Sequence, residues 1–180
     1  AVTLISWKYL KGMTAFEVFA GAVIGLLIAL GYGTQTVGLQ TISSSESAFL
    51  TALYVPLVPI LLWLLFRKKP HVMTWIGAAL AFLGLVFLTG NGFGAIQLSF
   101  GQLLTILGSI AIALEIIFIS YFAPKVNTRH VTVLQLIFAS LFCFIMAAIL
   151  GEPQLPEFHP HLAIILVGLG IASAVIQLVM

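Results

Sequence analysis

Apolar residues in this chain come in long unbroken runs, not in the alternation of a strand or the narrow stripe of a surface helix. Six runs of about 20 residues follow one another: Val18–Leu39, Ser47–Phe66, Val72–Leu88, Phe100–Ala123, Val131–Leu150 and Leu162–Met180. As helices, runs of this length cross a ~30 Å hydrocarbon core. A polytopic bundle of six membrane-spanning helices is therefore predicted, an all-α membrane protein. Segments between the runs are short and carry turn chemistry. Ser43-Ser44-Ser45-Glu46 predicts a capping box at the start of the second span, Ser43 capping and Glu46 reaching back. Asn91-Gly92 marks a turn, and Pro153, Pro156 and Pro160 stiffen the longest connection.

Composition fits a chain whose solvent is lipid. Hydrophobic residues make up 62% and charged residues 7%, against about 25% charged in an ordinary soluble domain. The formal net charge is +2, and the basic residues sit in short connections, which argues against a nucleic-acid surface. Lys8, Lys11, Arg67, Lys68, Lys69, Lys125 and Arg129 all fall on one side of the predicted membrane, with His71 and His130 beside them. The connections on the other side carry Glu46, Glu152 and Glu157. By the positive-inside rule the basic side is cytoplasmic, so the first span runs outward and the sixth inward. The expected location is the cytoplasmic membrane. The lone Cys143 allows no disulfide framework and is expected to be a small packing residue.

Against this background Glu115 stands out. It lies in the otherwise uncharged run Phe100–Ala123, and a carboxylate at membrane depth costs at least ~2.5–3.5 kcal/mol. It is expected to face a partner or a wet cavity, binding a proton or a cationic substrate group. Gly101, Thr105, Gly108, Ala111 and Glu115 share one stripe of that helix. Tyr32, Gln35 and Thr36 share a face near the outer end of the first span, and Ser47, Thr51 and Tyr54 one near the outer start of the second. Together these sets predict a polar cavity lined by Tyr32, Gln35, Thr36, Thr51, Tyr54, Gly108 and Ala111, with Glu115 at its inner end. The competing reading is that the hydroxyls bond back to their own helices. Pro56 and Pro59 are expected to break the second span and supply a hinge, because each removes a backbone donor.

Small residues at close-packing spacing, Gly21/Gly25, Gly77/Ala81/Gly84 and Gly168/Ala172, are expected to seat neighbouring helices. His159-Pro160-His161 with Glu152 and Glu157 offers donors on one loop, but Pro160 prevents helical ligand spacing, so no metal is expected. No cofactor motif is present. Gly25-Leu26-Leu27-Ile28-Ala29 recurs as Gly168-Leu169-Gly170-Ile171-Ala172 in a span of opposite direction, a hint of an inverted repeat. The chain opens without an initiator Met and ends inside an apolar run. These features lead to the expectation of an internal piece of a longer protein.

The stretch from Gly38-Leu39-Gln40-Thr41-Ile42-Ser43-Ser44-Ser45-Glu46 through Tyr54-Val55-Pro56, the basic turn Arg67–Lys69, and Trp75-Ile76-Gly77-Ala78-Ala79-Leu80 with Gly84 resemble EamA-type members of the drug/metabolite transporter superfamily. Gly101-Gln102-Leu103-Leu104 through Tyr121-Phe122-Ala123 resembles the opening of that family's second repeat. The resemblance implies two inverted five-helix repeats, with residues 1–93 supplying the tail of helix two and helices three to five. Residues 94–180 would supply helices six to eight, and helices one, nine and ten would lie outside the chain. It also implies a secondary active transporter, an exporter of small metabolites, amino acids or drug-like compounds working by alternating access. A small-molecule substrate and the lipid bilayer are the implied partners, and a homodimer is among the expected assemblies. An intramembrane enzyme is a rival, but it needs converging acid, base or metal groups, and Glu115 stands alone at its depth; no enzyme is expected. A non-transporting scaffold is the other rival, and it has no need of a buried carboxylate or of two prolines in one span.

Overall fold

Helix follows helix from the first apolar run onward. The structure, a computed structural model, describes residues 12–67, 69–89, 99–150 and 168. Six α-helices occur among these: α1 (Ala15–Gly38), α2 (Ser44–Thr51), α3 (Tyr54–Phe66), α4 (Val72–Thr89), α5 (Phe100–Phe122) and α6 (Thr128–Leu150). A 3₁₀ turn, Ala123–Lys125, follows α5. No strand occurs among the described residues. The segments Ala15–Gly38, Ser44–Phe66, Phe100–Lys125 and Thr128–Ile149 are long and apolar enough to cross a membrane, and α4 is an apolar helix of 18 residues. Large apolar side chains such as Leu64, Met73, Phe87 and Ile149 are exposed. That surface is what a bilayer requires and water penalises. The chain is a multi-pass, all-α membrane protein. The predicted sixth span, Gly168/Ala172 packing and the His159/His161 loop lie outside the described residues, apart from Gly168 itself.

Five predicted spans correspond to helices, and the second differs in detail. Its break falls at Ala52–Leu53, before either proline. Pro56 occupies the first turn of α3, where a missing N–H is harmless because first-turn donors have no intrahelical partner. The amide of Val55 turns to the Ala52 carbonyl at 3.0 Å, an i−3 step that ends the α ladder. Pro59 lies inside α3 and buried, and gives no N–H to the Val55 carbonyl one turn back. The helix ends at Arg67, which adopts a left-handed φ of 53°.

Two compact units divide the chain: Ala1–Leu26 with Phe122–Met180, and Leu27–Tyr121. In the first, the start of α1 packs on α6. A Cβ at Gly21 would stand 2.5 Å from Leu134 Cβ, and one at Gly25 2.7 Å from the Gln135 carbonyl oxygen. The predicted Gly21/Gly25 seat thus holds α6. Ala20, Ile24, Val131, Leu134 and Ala139 are buried there, and the rings of Phe16 and Phe19 meet Phe122 edge-on.

The second unit is built on a glycine seam between the end of α1 and the start of α5. A Cβ at Gly38 would stand 2.9 Å from the Gly101 carbonyl oxygen, and one at Gly108 3.0 Å from that of Gly31. Gly31 and Gly38 are seven residues apart, as are Gly101 and Gly108, so two turns of each backbone meet antiparallel. On the other side of the unit Phe49 of α2 meets Phe82 of α4 at 5.7 Å, and Phe66 of α3 meets Tyr121 of α5 at 5.2 Å. Gly77 and Gly84 seat no neighbour among the described residues: none of these lies within 4 Å of a Cβ at either. Cys143 is also not a packing residue; it is exposed on α6.

Candidate functional site

Every sequence-predicted site residue lies in the Leu27–Tyr121 unit. The stripe on α5 begins at its capped end. Ser99 and Gln102 form a reciprocal box: Gln102 N–H donates to Ser99 Oγ at 3.3 Å and Ser99 N–H donates to Gln102 Oε1 at 3.0 Å. The Gln102 amide Nε2 donates in turn to Glu46 Oε1 at the start of α2. Ser43 caps α2 as expected, accepting the Glu46 N–H at 3.2 Å. The Glu46 carboxylate, expected to reach back to its own cap, serves α5 instead. A polar tie thus joins the first turns of α2 and α5.

Farther along α5, Gly101, Gly108 and Ala111 are buried, and Glu115 is half-buried at the end of the stripe. The space above Gly101 and Gly108 is filled by α1: Gly38, Gly31 and Thr34 occupy it. Gly108 therefore serves packing in this conformation and leaves no room for solvent over its Cα. Glu115 lies about two turns, roughly 10 Å, beyond Gly108. It has no hydrogen-bond or ion-pair partner among the described residues.

The other lining candidates divide. Gln35 is half-buried, and its main-chain nitrogen borders Gly108, 3.8 Å from where a Cβ would be. Tyr32 is 58% exposed. Thr36 is exposed and its hydroxyl donates to the Tyr32 carbonyl at 2.7 Å, the back-bonding alternative. Thr51 and Tyr54 are half-buried on either side of the Ala52–Leu53 break. Thr51 Oγ1 and, one turn earlier, Ser47 Oγ are sealed from solvent with no hydrogen-bond partner among the described residues. Thr34, Thr36, Thr105, Ser109, Ser120, Thr132 and Ser140 all bond back to their own helices.

The sequence reading passed over Glu17. It is buried in the first turn of α1, inside a Thr14-x-x-Glu17 box with Thr14 N–H donating to Oε2 at 2.8 Å. Its Oε1 accepts the Asn127 N–H at 3.0 Å, and His130 Nδ1 lies 3.2 Å from Oε2. The Thr-x-x-Glu spacing was the available signal. Gly31 was missed as well, although its seven-residue spacing to Gly38 repeats that of Gly101 and Gly108. No group of three or more His, Cys, Asp or Glu is positioned to hold a metal among the described residues.

The described residues thus define a polytopic helical membrane protein with a half-buried carboxylate in α5 and a break between α2 and α3. Comparison with known proteins narrows that class. Residues 1–90 match the EamA-like transporter family. An uncharacterized transporter of Archaeoglobus fulgidus is 30% identical over 159 residues, 88% of this chain and 48% of that protein. The uncharacterized transporter YvbV of Bacillus subtilis is 28% identical over 120 residues, 67% of this chain and 39% of that protein. No solved structure matches. The chain belongs to the EamA-like transporter family. It spans about half the length, or less, of these curated relatives.

Proposed function

We propose that this chain is part of a secondary active transporter that exports small metabolites, amino acids or drug-like compounds across the cytoplasmic membrane by alternating access. The observation that carries this reading is Glu115: a carboxylate within an apolar span, half-buried and without a partner among the described residues. Such a group is costly unless it meets a proton, a cationic ligand or water in the working cycle. Glu115 then binds the proton or the cationic group, and Gln35, Thr51 and Tyr54 line the route, with Tyr32 and Thr36 at its exposed margin. The break at Ala52–Leu53 and the donor lost at Pro59 supply the hinge. The family match ends at Gly90, which supports a boundary near residue 93 between two inverted repeats. The one-sided distribution of Lys and Arg supports a cytoplasmic basic face. Flux of candidate solutes in proteoliposomes, with the full-length protein and with and without a pH gradient, tests this reading.

A further inference from the structure

Two hydroxyls in α2 break a pattern that others in the described helices follow. Hydroxyls in apolar helices normally donate to the carbonyl one turn back. Buried Thr105 does so to Gly101 at 2.8 Å, and buried Ser109 donates to the Ile106 carbonyl at 2.7 Å. Ser47 is 1% exposed, yet among the described residues its Oγ has no partner, nor has Thr51 Oγ1. An unsatisfied buried polar group is unfavourable by about 1–3 kcal/mol. Two such groups, one turn apart on one face, are not accounted for by packing alone.

Their position gives the missing partner a chemistry. Thr51 is the last residue of α2, where the helix stops at the Ala52–Leu53 break. A helix C-terminus carries partial negative charge on its free carbonyls. One turn beyond, Pro59 gives no N–H to the Val55 carbonyl. The carbonyls of Ala48, Leu50 and Ala52 accept the N–H groups of Ala52, Leu53 and Val55. The acceptors to be served near Thr51 are therefore the two hydroxyl oxygens and the Val55 carbonyl that Pro59 cannot reach with a donor. Oxygen acceptors of this kind suit an N–H-bearing cation and disfavour an anion. Both hydroxyl oxygens are sealed in this conformation, so access requires α2 to move at its joint with α3.

We propose that Ser47 and Thr51 form a subsite for the ammonium group of a small molecule, shut in this structure and exposed when α2 swings at Ala52–Leu53. The proposal rests on the transporter reading above and assigns one substrate class to its pathway.

The test uses the full-length protein with Cys143 replaced and single cysteines at Ser47, Thr51, exposed Ser45 and buried Ser109. Each is reacted with two methanethiosulfonates of similar size, one bearing a primary ammonium and one a sulfonate. Rates are corrected for intrinsic reactivity. The expected result is reaction at Ser47→Cys and Thr51→Cys that is slower than at Ser45→Cys and at least tenfold faster with the ammonium reagent. Ser109→Cys stays unreactive. Thr51→Val should keep or raise the thermal midpoint, since it removes an unpaired hydroxyl, whereas Thr105→Val lowers it. Unreactive cysteines at both positions, equal rates with the two reagents, or equal labelling of Ser109→Cys would each overturn the subsite. Solute flux in the unlabelled wild type reports on the transporter reading separately, so the two ideas fail by different measurements.

Discussion

The carboxylate of Glu17 accepts a hydrogen bond from the main-chain N–H of Asn127, 110 residues farther along the chain, at 3.0 Å. Asn127 itself opens α6: its Oδ1 accepts the Arg129 N–H at 3.1 Å, and its carbonyl accepts the Val131 N–H. One buried side chain therefore closes its own cap and fixes where α6 begins. Charge-assisted bonds of this kind contribute about 1.5–3 kcal/mol each when a partner is not simply handed back to water.

Glu17→Ala should accordingly lower stability by about 2–3 kcal/mol, and Glu17→Gln by less, since the amide keeps one acceptor. Thermal unfolding of the detergent-solubilised protein checks the order. If both variants unfold at the wild-type midpoint, the clasp is incidental.

Glycines at the α1–α5 seam and those on α4 should respond oppositely to alanine. At Gly38 and Gly108 an added Cβ meets backbone oxygens at 2.9 and 3.0 Å, and two helices must part. A loss of about 1–3 kcal/mol is expected. At Gly77 and Gly84 the added methyl meets none of the described residues within 4 Å, and removing a flexible glycine from a helix should stabilise by about 0.5–1 kcal/mol. Midpoints of the four single variants decide the matter, and a destabilised Gly77→Ala would reveal a neighbour on that face.

Pro59 and Pro56 should also separate. Pro59→Ala restores a donor to the Val55 carbonyl and should stiffen α3, by at most about 3 kcal/mol. Turnover in the full-length protein should fall while the midpoint rises. Pro56 sits where first-turn donors are unsatisfied in any case, so Pro56→Ala should change neither by much. Equal effects at the two positions would remove the hinge from the account.

How far the sequence alone reaches depends on the range of the interaction. Helix placement is local: the predicted starts at Val72 and Phe100 coincide with α4 and α5, and α1 differs from its predicted run by three residues at one end and one at the other. Hydrophobic length and turn chemistry are enough for that. The break in the second span was misplaced because proline's local rule depends on its position in the turn, and Pro56 falls in the first turn of α3. The cavity was less legible. Gly108 looked like open space along a polar stripe, but its occupant is the backbone at Gly31, 77 residues away. A single glycine carries no sign of whether another helix or solvent fills it; the matched spacing of two pairs does. Glu17 was passed over for a related reason, since its weight comes from partners held in three dimensions.

Sidedness is open to a direct check. With Cys143 replaced, single cysteines at Ser45, Lys69 and Lys125 present exposed sites on two predicted faces. A membrane-impermeant maleimide added to intact cells should label Ser45→Cys, and it should reach Lys69→Cys and Lys125→Cys only after permeabilisation. The opposite pattern would put the basic face outside and the proposed outer pathway on the cytoplasmic side.

Glu115 is central to the proposed transport, and one measurement addresses it directly: flux through the full-length protein in proteoliposomes, wild type beside Glu115→Gln, across a range of pH. The substitution keeps size and hydrogen-bonding capacity and removes the titratable charge. Transport should fall by about tenfold or more, corresponding to about 1.4 kcal/mol, or lose its dependence on the pH gradient, with expression and thermal midpoint near wild type. Unchanged rate together with unchanged pH dependence would contradict the account and leave Glu115 a structural residue of α5.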